Sequence, residues 1–328
     1  DGEDGRKKIQ EYTRYTTVVL ALLESSAMAI GFGRQGLLLD YNVWNVIVAV
    51  VTMTTGSALL MWIGEQITEK GVGNGISIVL LFNILSSVPN DVRSLYYRFI
   101  FGQSVATMAI AFVLIALVIL AMVVFVIVLN DAERRIPVQY SKKMVGRKMV
   151  GGQASSIPLK INTAGVMPVI FASSIMSFPV VIAQFFTVDY NSIGGKILMM
   201  LNSSSWCRPE QPVYSIGLVI YIVLLIVFAY FYTSITFNPL EVANNMKKQG
   251  GFIPGIRPGK PTSDYLNKIL NYIVFIGAVG LIVIAVVPIL ASGLLDVGHI
   301  SFSGTSLIII VGVVLETIKA VESQMLVR

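Results

Sequence analysis

Charged residues are scarce in this chain. Asp, Glu, Lys and Arg make up 13% of its 328 residues, whereas about 25% is usual for a soluble domain. Hydrophobic residues make up 55%, and the mean hydropathy is +0.77. A water-soluble fold of this length cannot bury so much apolar surface. We therefore exclude a soluble domain, a disordered chain, a coiled coil and a nucleic-acid-binding domain, and infer that lipid surrounds most of the chain.

The chain has one cysteine, Cys207, and one histidine, His299. A structural zinc site takes about four nitrogen or sulfur ligands, so we expect neither a zinc site nor an iron–sulfur cluster. No disulfide can form within the chain. An intramembrane protease would need a Ser–His pair, paired aspartates or an HExxH motif, and the lone histidine argues against it. We predict no metal, no cofactor and no enzymatic activity.

Long apolar segments dominate what is present. A helix crosses the hydrocarbon core, ~30 Å thick, with about 20 residues. Eight segments are candidates, namely Thr16–Gly33, Val43–Ile63, Ile76–Val88, Val105–Leu129, Ala164–Thr187, Val213–Ile235, Ile269–Leu290 and Thr305–Leu326. The third is short, and the eighth carries three charged residues in its second half, so we expect these two to pack against protein or to emerge early into water. We predict an all-α polytopic membrane protein that forms a single membrane domain over residues 1–328.

Basic residues are concentrated in one set of connecting segments. Of the 24 Lys and Arg residues, 19 lie in residues 1–15, 64–75, 131–160 and 237–268 and in the last turn and tail. Cytoplasmic loops carry the excess of Lys and Arg in membrane proteins. We therefore predict that both ends of the chain are cytoplasmic, together with the first basic loop (131–160) and the second basic loop (237–268).

Each basic loop presents cations at a predicted turn. Arg147 and Lys148 lie in the first basic loop, and Arg257 lies in the second, between a glycine and a Pro-Gly pair. Because proline restricts the backbone and glycine permits tight turns, we expect Arg257 to be held on a defined loop. These cations fit two interpretations. One is positive-inside topology with attraction to anionic lipid, and the other is docking of an acidic or phosphate-bearing partner.

The glycine-rich stretch GVGNG at residues 71–75 does not indicate nucleotide binding. It lacks the GK[ST] ending of a phosphate-binding loop and follows no predicted strand. Energy for any transport must therefore come from a partner. A secondary transporter of small solutes is the alternative function, and its intramembrane acids would be Glu24, Glu316 and Glu322.

Five long motifs closely resemble the SecY family, whose members form the pore of the bacterial protein-translocation channel. They are GEDGRKKIQEYTRY, MWIGEQITEKGVGNGISI, SIPLKINTAGVMPVIFASSI, FYTSITFNPLEVANNMKKQGGFIPGIRPG and GTSLIIIVGVVLETIKAVESQM. The resemblance runs along the whole chain. It implies eight transmembrane helices, equivalent to the third to tenth of a ten-helix SecY-type channel. The first two helices and the plug segment have no counterpart in this sequence.

The resemblance implies an hourglass channel with a ring of bulky apolar side chains at its waist. Such a ring disfavours water and ions, whereas an extended peptide can fill it. The matched motifs assign the ring positions to Ile76, Leu80, Ile170 and Ile309. The better-known family pattern has isoleucine where this chain has Leu80, and the equal volume should preserve the ring. On the residues alone, ordinary helix packing explains all four side chains.

The resemblance also implies a lateral gate that releases signal sequences and membrane segments sideways into lipid. One wall would carry Glu24, and the opposite wall would carry Ser173 and Ser174. Serines offer polar contacts that can break and re-form within a membrane. Plain helix packing by small residues is the alternative interpretation of these positions.

The partners that the resemblance implies complete the expected function. The SecA motor ATPase or the ribosome would dock on Arg257, Arg147 and Lys148. SecE and SecG would be membrane partners, preprotein signal sequences would be the cargo, and anionic lipid would surround the complex. The function implied is translocation of unfolded preproteins across the bacterial plasma membrane by a multi-pass subunit.

The distribution of basic residues yields a test of topology. Single cysteines placed beside Arg147 and beside Arg257, in a background that lacks Cys207, should react with an impermeant thiol reagent only from the cytoplasmic side. Inside-out and right-side-out vesicles supply the two sides for comparison. Labelling of either position from outside the cell would contradict the eight-span arrangement.

Overall fold

The computed structural model describes residues 3–38, 40–97, 101, 105–140, 143–145, 148–150, 154–186, 189, 192–207, 212–294 and 304–327. Its α-helices are α1 (Glu3–Arg34), α2 (Val43–Lys70), α3 (Gly75–Leu95), α4 (Val105–Asp131), α5 (Met167–Ala183), α6 (Ile193–Leu201), α7 (Ile216–Thr236), α8 (Pro239–Lys248), α9 (Lys260–Leu294) and α10 (Gly304–Val327). Its strands are β1 (Glu133–Tyr140), β2 (Lys143–Val145), β3 (Lys148–Val150), β4 (Ala154–Lys160) and β5 (Gly251–Phe252). The protein is predominantly helical, which confirms the predicted fold class.

Each of the eight predicted apolar segments falls on a helix. By length and composition, six helical stretches in the described residues could cross a membrane: Lys7–Arg34, Val43–Lys70, Gly75–Leu95, Met108–Asp131, Pro212–Lys248 and Lys260–Leu290. The fifth segment forms only the 17 residues of α5. The eighth forms α10, whose second half carries Glu316, Lys319 and Glu322.

Many large apolar side chains of these helices lie on the surface of the chain and are not covered by other residues, as α4 illustrates. Ile110, Leu114 and Leu117 are each about 60% exposed on this helix. Water would penalise such a surface by about 25 cal/mol for each Å² of apolar area, whereas lipid tails do not. The exposed apolar faces therefore fit a membrane environment.

The chain divides into two compact units, and the first comprises Asp1–Val92, Ser174–Gly217 and Val313–Arg328. Here α1 and α2 are joined by an ion pair, in which Arg14 Nε lies 2.8 Å from a carboxylate oxygen of Glu65. Near the other end of α1, a Cβ on Gly31 would come 2.9 Å from the side-chain oxygen of Gln184. Close packing of α1 against the segment after α5 therefore depends on glycine at this position.

The second unit comprises Arg93–Ser173 and Leu218–Gly312, and it contains all the described strands. Strands β1 and β4 form an antiparallel hairpin in the first basic loop, with Ile136 opposite Ile157. Strand β5 of the second basic loop adds to the other edge of β1, with Gln139 opposite Phe252. The two basic loops thus share one three-stranded sheet of order β4-β1-β5. The sequence alone had suggested two separate loops.

A small hydrophobic core lies beneath this sheet. It combines side chains from the hairpin, from α8, from the residue that follows β5 and from α9, namely Ile136, Val138, Leu159, Met246, Ile253, Leu266, Ile269 and Ile273. Ile136 and Val138 are buried while their neighbours along β1 are exposed, which is the period of two expected for a strand with one wet face. The long helix α9 therefore supports both basic loops at its first turns.

Leu159→Ala should loosen both basic loops, because Leu159 packs into their common core and is 3% exposed. Truncation of a buried leucine costs about 2–5 kcal/mol. We expect faster trypsin cleavage after Lys247 and Lys248 in the second basic loop, although the substitution is in the first. The exposed Ser156→Ala on the same strand is the control and should leave cleavage unchanged. Equal cleavage of both variants would contradict a shared core.

Candidate functional site

Ile76 and Leu80, the first two predicted ring residues, lie one turn apart on the same face of α3. Asn74 caps this helix, since its side-chain oxygen accepts hydrogen bonds from the Ile76 amide at 3.1 Å and the Ser77 amide at 3.4 Å. Ile76 is 54% exposed and Leu80 38%. An apolar pair at the start of a capped helix, free to contact another molecule, is suited to line a passage.

The other two ring candidates belong to the second unit. Ile170 is half-buried near the start of α5, and Ile309 is half-buried in the first half of α10. Each lies beside fully packed neighbours, since Val169 is 1% exposed and Ile308 1%. Their helices are therefore anchored in the unit, while both candidate side chains keep part of their surface open.

Arg257 is exposed on a turn that two glycines shape. Gly255 and Gly259 have φ values of +82° and +108°, a region that side-chain-bearing residues rarely adopt. The carbonyl oxygen of Arg257 accepts a hydrogen bond of 2.8 Å from the hydroxyl of Thr262, which is fully buried at the start of α9. The backbone that carries the exposed Arg257 side chain is therefore held by a buried residue. Glycine and proline around Arg257 predicted the defined turn, whereas the contribution of Thr262 is visible only in the structure.

The tip of the first basic loop is described less completely than the Arg257 turn of the second. Strands β2 and β3 pair so that Val145 lies opposite Lys148. Lys148 is therefore the first residue of β3, paired with the last residue of β2. Arg147 lies outside the described residues.

The predicted gate residues have three different environments. Glu24 is exposed on α1, and its neighbour Ser25 is 5% exposed. Ser173 is half-buried on α5 and interacts with the hydroxyl of Tyr221 on α7, while Ser174 is exposed. Glu24 and Ser174 belong to the first unit and Ser173 to the second.

Cys207 lies in the connection between α6 and α7. Burial raises the pKa of its thiol, and a hydrogen bond to Ser215 opposes this effect. A raised pKa leaves less of the reactive thiolate at neutral pH. His299 lies outside the described residues, and within those that the structure describes no group of three or more His, Cys, Asp or Glu side chains could hold a metal ion.

Comparison with protein-family models gives a match to the SecY family over residues 1–318. The chain belongs to the SecY family. The protein translocase subunit SecY of Halalkalibacterium halodurans is 42% identical over 333 residues, an alignment that covers 100% of this chain and 75% of the relative. The SecY resemblance inferred from the five sequence motifs is thereby confirmed.

Solved SecY-type channels share the fold at low sequence identity. One described as a protein-conducting channel has a TM-score of 0.64 at 16% identity, over 98% of this chain and 74% of that one. Sec61 in the canine ribosome–channel complex from the endoplasmic reticulum has a TM-score of 0.63 at 15% identity, over 98% and 74%. The SecY relative and these channels give no support to the alternative of a secondary transporter of small solutes.

Thr262 provides a test of how firmly the Arg257 turn is held. Thr262→Val keeps the side-chain shape but removes the hydrogen bond to the Arg257 carbonyl, a net loss of about 1 kcal/mol. Amide hydrogen exchange in residues 253–263 should accelerate about fivefold, the factor that corresponds to this energy. Thr262→Ser retains the hydroxyl and should exchange within about twofold of the unmodified chain. Equal exchange in the two variants would show that the hydroxyl does not hold the turn.

Proposed function

We propose that this chain is the channel-forming subunit of a protein translocase, which conducts unfolded preproteins across a membrane and releases membrane segments into lipid. The observation that carries this function is the SecY match over residues 1–318, together with 42% identity to a protein translocase subunit. The exposed apolar faces of the helices support a multi-pass membrane location. The bacterial plasma membrane is the location that the family favours.

In this proposal Ile76, Leu80, Ile170 and Ile309 form the constriction through which the polypeptide passes. The partial exposure of all four supports this role, because a pore-lining side chain must leave its apolar surface free for the substrate. Apolar side chains in a narrow passage limit the entry of water and ions. Because these side chains form no specific polar contacts, the constriction can accept polypeptides of different sequences.

The basic loops form the docking surface for the component that drives transport. Arg257 is exposed, and Thr262 holds its backbone, so a partner would meet a cation carried by an ordered turn. Pre-ordering of this kind reduces the entropy lost on binding. We propose the SecA motor ATPase and the ribosome as partners here, with Arg147 and Lys148 contributing at the tip of the first basic loop. The solved canine Sec61 channel is itself in a complex with a ribosome.

The remaining partners and the orientation follow from the same proposal. SecE and SecG would cover part of the exposed apolar surface, and anionic lipid would contact the basic loops. Positive residues outnumber negative ones, 24 to 18 in the whole chain, and most lie in the segments assigned to the cytoplasm. Both ends of this chain would therefore face the cytoplasm.

Arg257→Glu tests the proposed function at the docking surface. The substitution places like charges together in a site that expects an acidic or carbonyl partner. In membranes reconstituted with the complete translocase, motor-driven preprotein transport should fall about tenfold or more, which corresponds to about 1.4 kcal/mol of lost interaction. Exposed Lys260→Glu, three residues away, controls for charge alone. Normal transport by the Arg257 variant would show that this residue affects only the orientation of the chain in the membrane. Failure of the variant protein to accumulate would show that Arg257 is needed for folding.

Glu24 tests the lateral gate. An acid within a span costs a few kcal/mol unless it has polar partners, and we propose that its contacts help to hold the gate closed. Glu24→Leu should weaken the closed gate and permit export of a reporter with a defective signal sequence. Glu24→Gln keeps a hydrogen-bonding side chain and should permit less export than leucine. Unchanged reporter export by both variants, at normal channel abundance, would contradict a gate role for this residue.

A further inference from the structure

The connection from α2 to α3 brings two backbones into direct contact just before Ile76. Gly64 on α2 and Gly75, the first residue of α3, are both buried. A Cβ on Gly75 would overlap the carbonyl oxygen of Gly64. A Cβ on Gly64 would come 3.3 Å from Cγ1 of Ile76 and 3.4 Å from its backbone nitrogen. Glycine at both positions is what allows this approach.

One hydroxyl joins the two backbones at this contact. Thr68 donates a hydrogen bond of 2.9 Å to the Gly64 carbonyl and accepts one of 2.9 Å from the Gly75 amide. The amide belongs to the first turn of α3, where the backbone has no partner within its own helix. We refer to Gly64, Thr68 and Gly75 together as the α2–α3 clamp.

We propose that the α2–α3 clamp is a positioning device for the pore constriction, which sets the direction in which Ile76 and Leu80 project. The inference rests on the proposed function, since it takes these two residues as pore-lining. Successive residues of a helix are about 100° apart around its axis, so a small rotation at the first turn redirects every later side chain. The clamp holds the backbone at the residue directly before Ile76, and the missing Cβ of Gly64 leaves room for Ile76 beside α2.

The exposure of Ile76 explains why a backbone clamp is needed. More than half of this side chain is exposed, so packing of the side chain within the first unit does not determine its direction. Its orientation must instead come from the backbone to which it is attached. Asn74 orders the same turn through its bonds to the Ile76 and Ser77 amides, and both of these bonds lie within the start of α3. The clamp thus ties the start of α3 to the adjacent helix.

Five variants test the clamp in the complete translocase, reconstituted into planar lipid bilayers. Thr68→Val removes both bonds while keeping the shape, and Thr68→Ser retains the hydroxyl. Thr52→Val is the matched control, because Thr52 on the same helix also donates to the carbonyl four residues earlier, at 2.8 Å from Val48. Gly64→Ala presses a methyl group against Ile76, whereas the Cβ added in Gly56→Ala would lie more than 4 Å from any atom beyond its own stretch of helix backbone.

The ion conductance of the idle channel is the main measurement, with preprotein transport and channel abundance recorded beside it. We expect idle conductance to rise about fivefold in Thr68→Val, the factor expected when one hydrogen bond of ordinary net strength is lost. Gly64→Ala should also leak. Thr68→Ser, Thr52→Val and Gly56→Ala should remain as tight as the unmodified channel, at equal abundance.

Ile76→Ala separates failure of the clamp from failure of the pore assignment. If it leaks while Thr68→Val and Gly64→Ala stay tight, the clamp is overturned and the pore assignment stands. If Ile76→Ala does not leak, the pore assignment is overturned and the clamp proposal with it. Equal leakage from Thr68→Val and Thr52→Val would overturn the clamp. So would failure of Thr68→Val alone to accumulate, since the contact would then be required for folding rather than for positioning.

Discussion

A peptide group in lipid must find its hydrogen-bond partner within the protein, and the rest of this structure depends on that constraint. The long apolar segments satisfy it as helices. The strands that the structure describes lie only in the two basic loops, whose polar composition places them in water. Where helices begin, side chains supply the missing acceptors. Asn238, for example, accepts from the Leu240 and Glu241 amides at the start of α8.

Helices in lipid gain little from hydrophobic burial against one another, so close packing and polar contacts take its place. In the second unit, a Cβ on Gly277 of α9 would overlap the carbonyl oxygen of Ile161, so glycine lets α9 pack against the segment before α5. Beside it, the buried Asn162 donates a 2.7 Å hydrogen bond to Asn130 at the end of α4. The base of the hairpin is thereby tied to the helices on which it stands.

The sheet that joins the two basic loops has a mechanical consequence. Strand β5 precedes the Arg257 turn by a few residues and pairs with β1, so the turn and the hairpin share one small core. A partner that presses on Arg257 therefore acts on both loops and on the first turns of α9. Packed cores deform little under load, so this surface is rigid enough for the docking role that we propose for it.

The sequence alone was sufficient for the helical class, the apolar segments and the family. Apolar composition is a local property, so it identified a helix for every predicted segment. Family motifs such as FNPLEVANNMKKQGGFIPGIRPG carried the identification, which the match over residues 1–318 confirms. The pore, gate and docking roles of individual residues stay predictions, because they describe contacts with molecules outside this chain.

Tertiary structure decided how distant segments meet. Strand β5 has only two residues, too few for a periodic signal, and only its pairing with β1 shows that the basic loops are one surface. The alternation of Ile136 and Val138 was present in the sequence, but the surrounding lysines, glycines and prolines favoured a loop interpretation. Nothing in the sequence around Gly64 or Ile76 indicated that these two residues lie close together. Such a contact exists only once two helices are placed side by side, because it depends on the distance between backbones and not on the hydropathy of either residue.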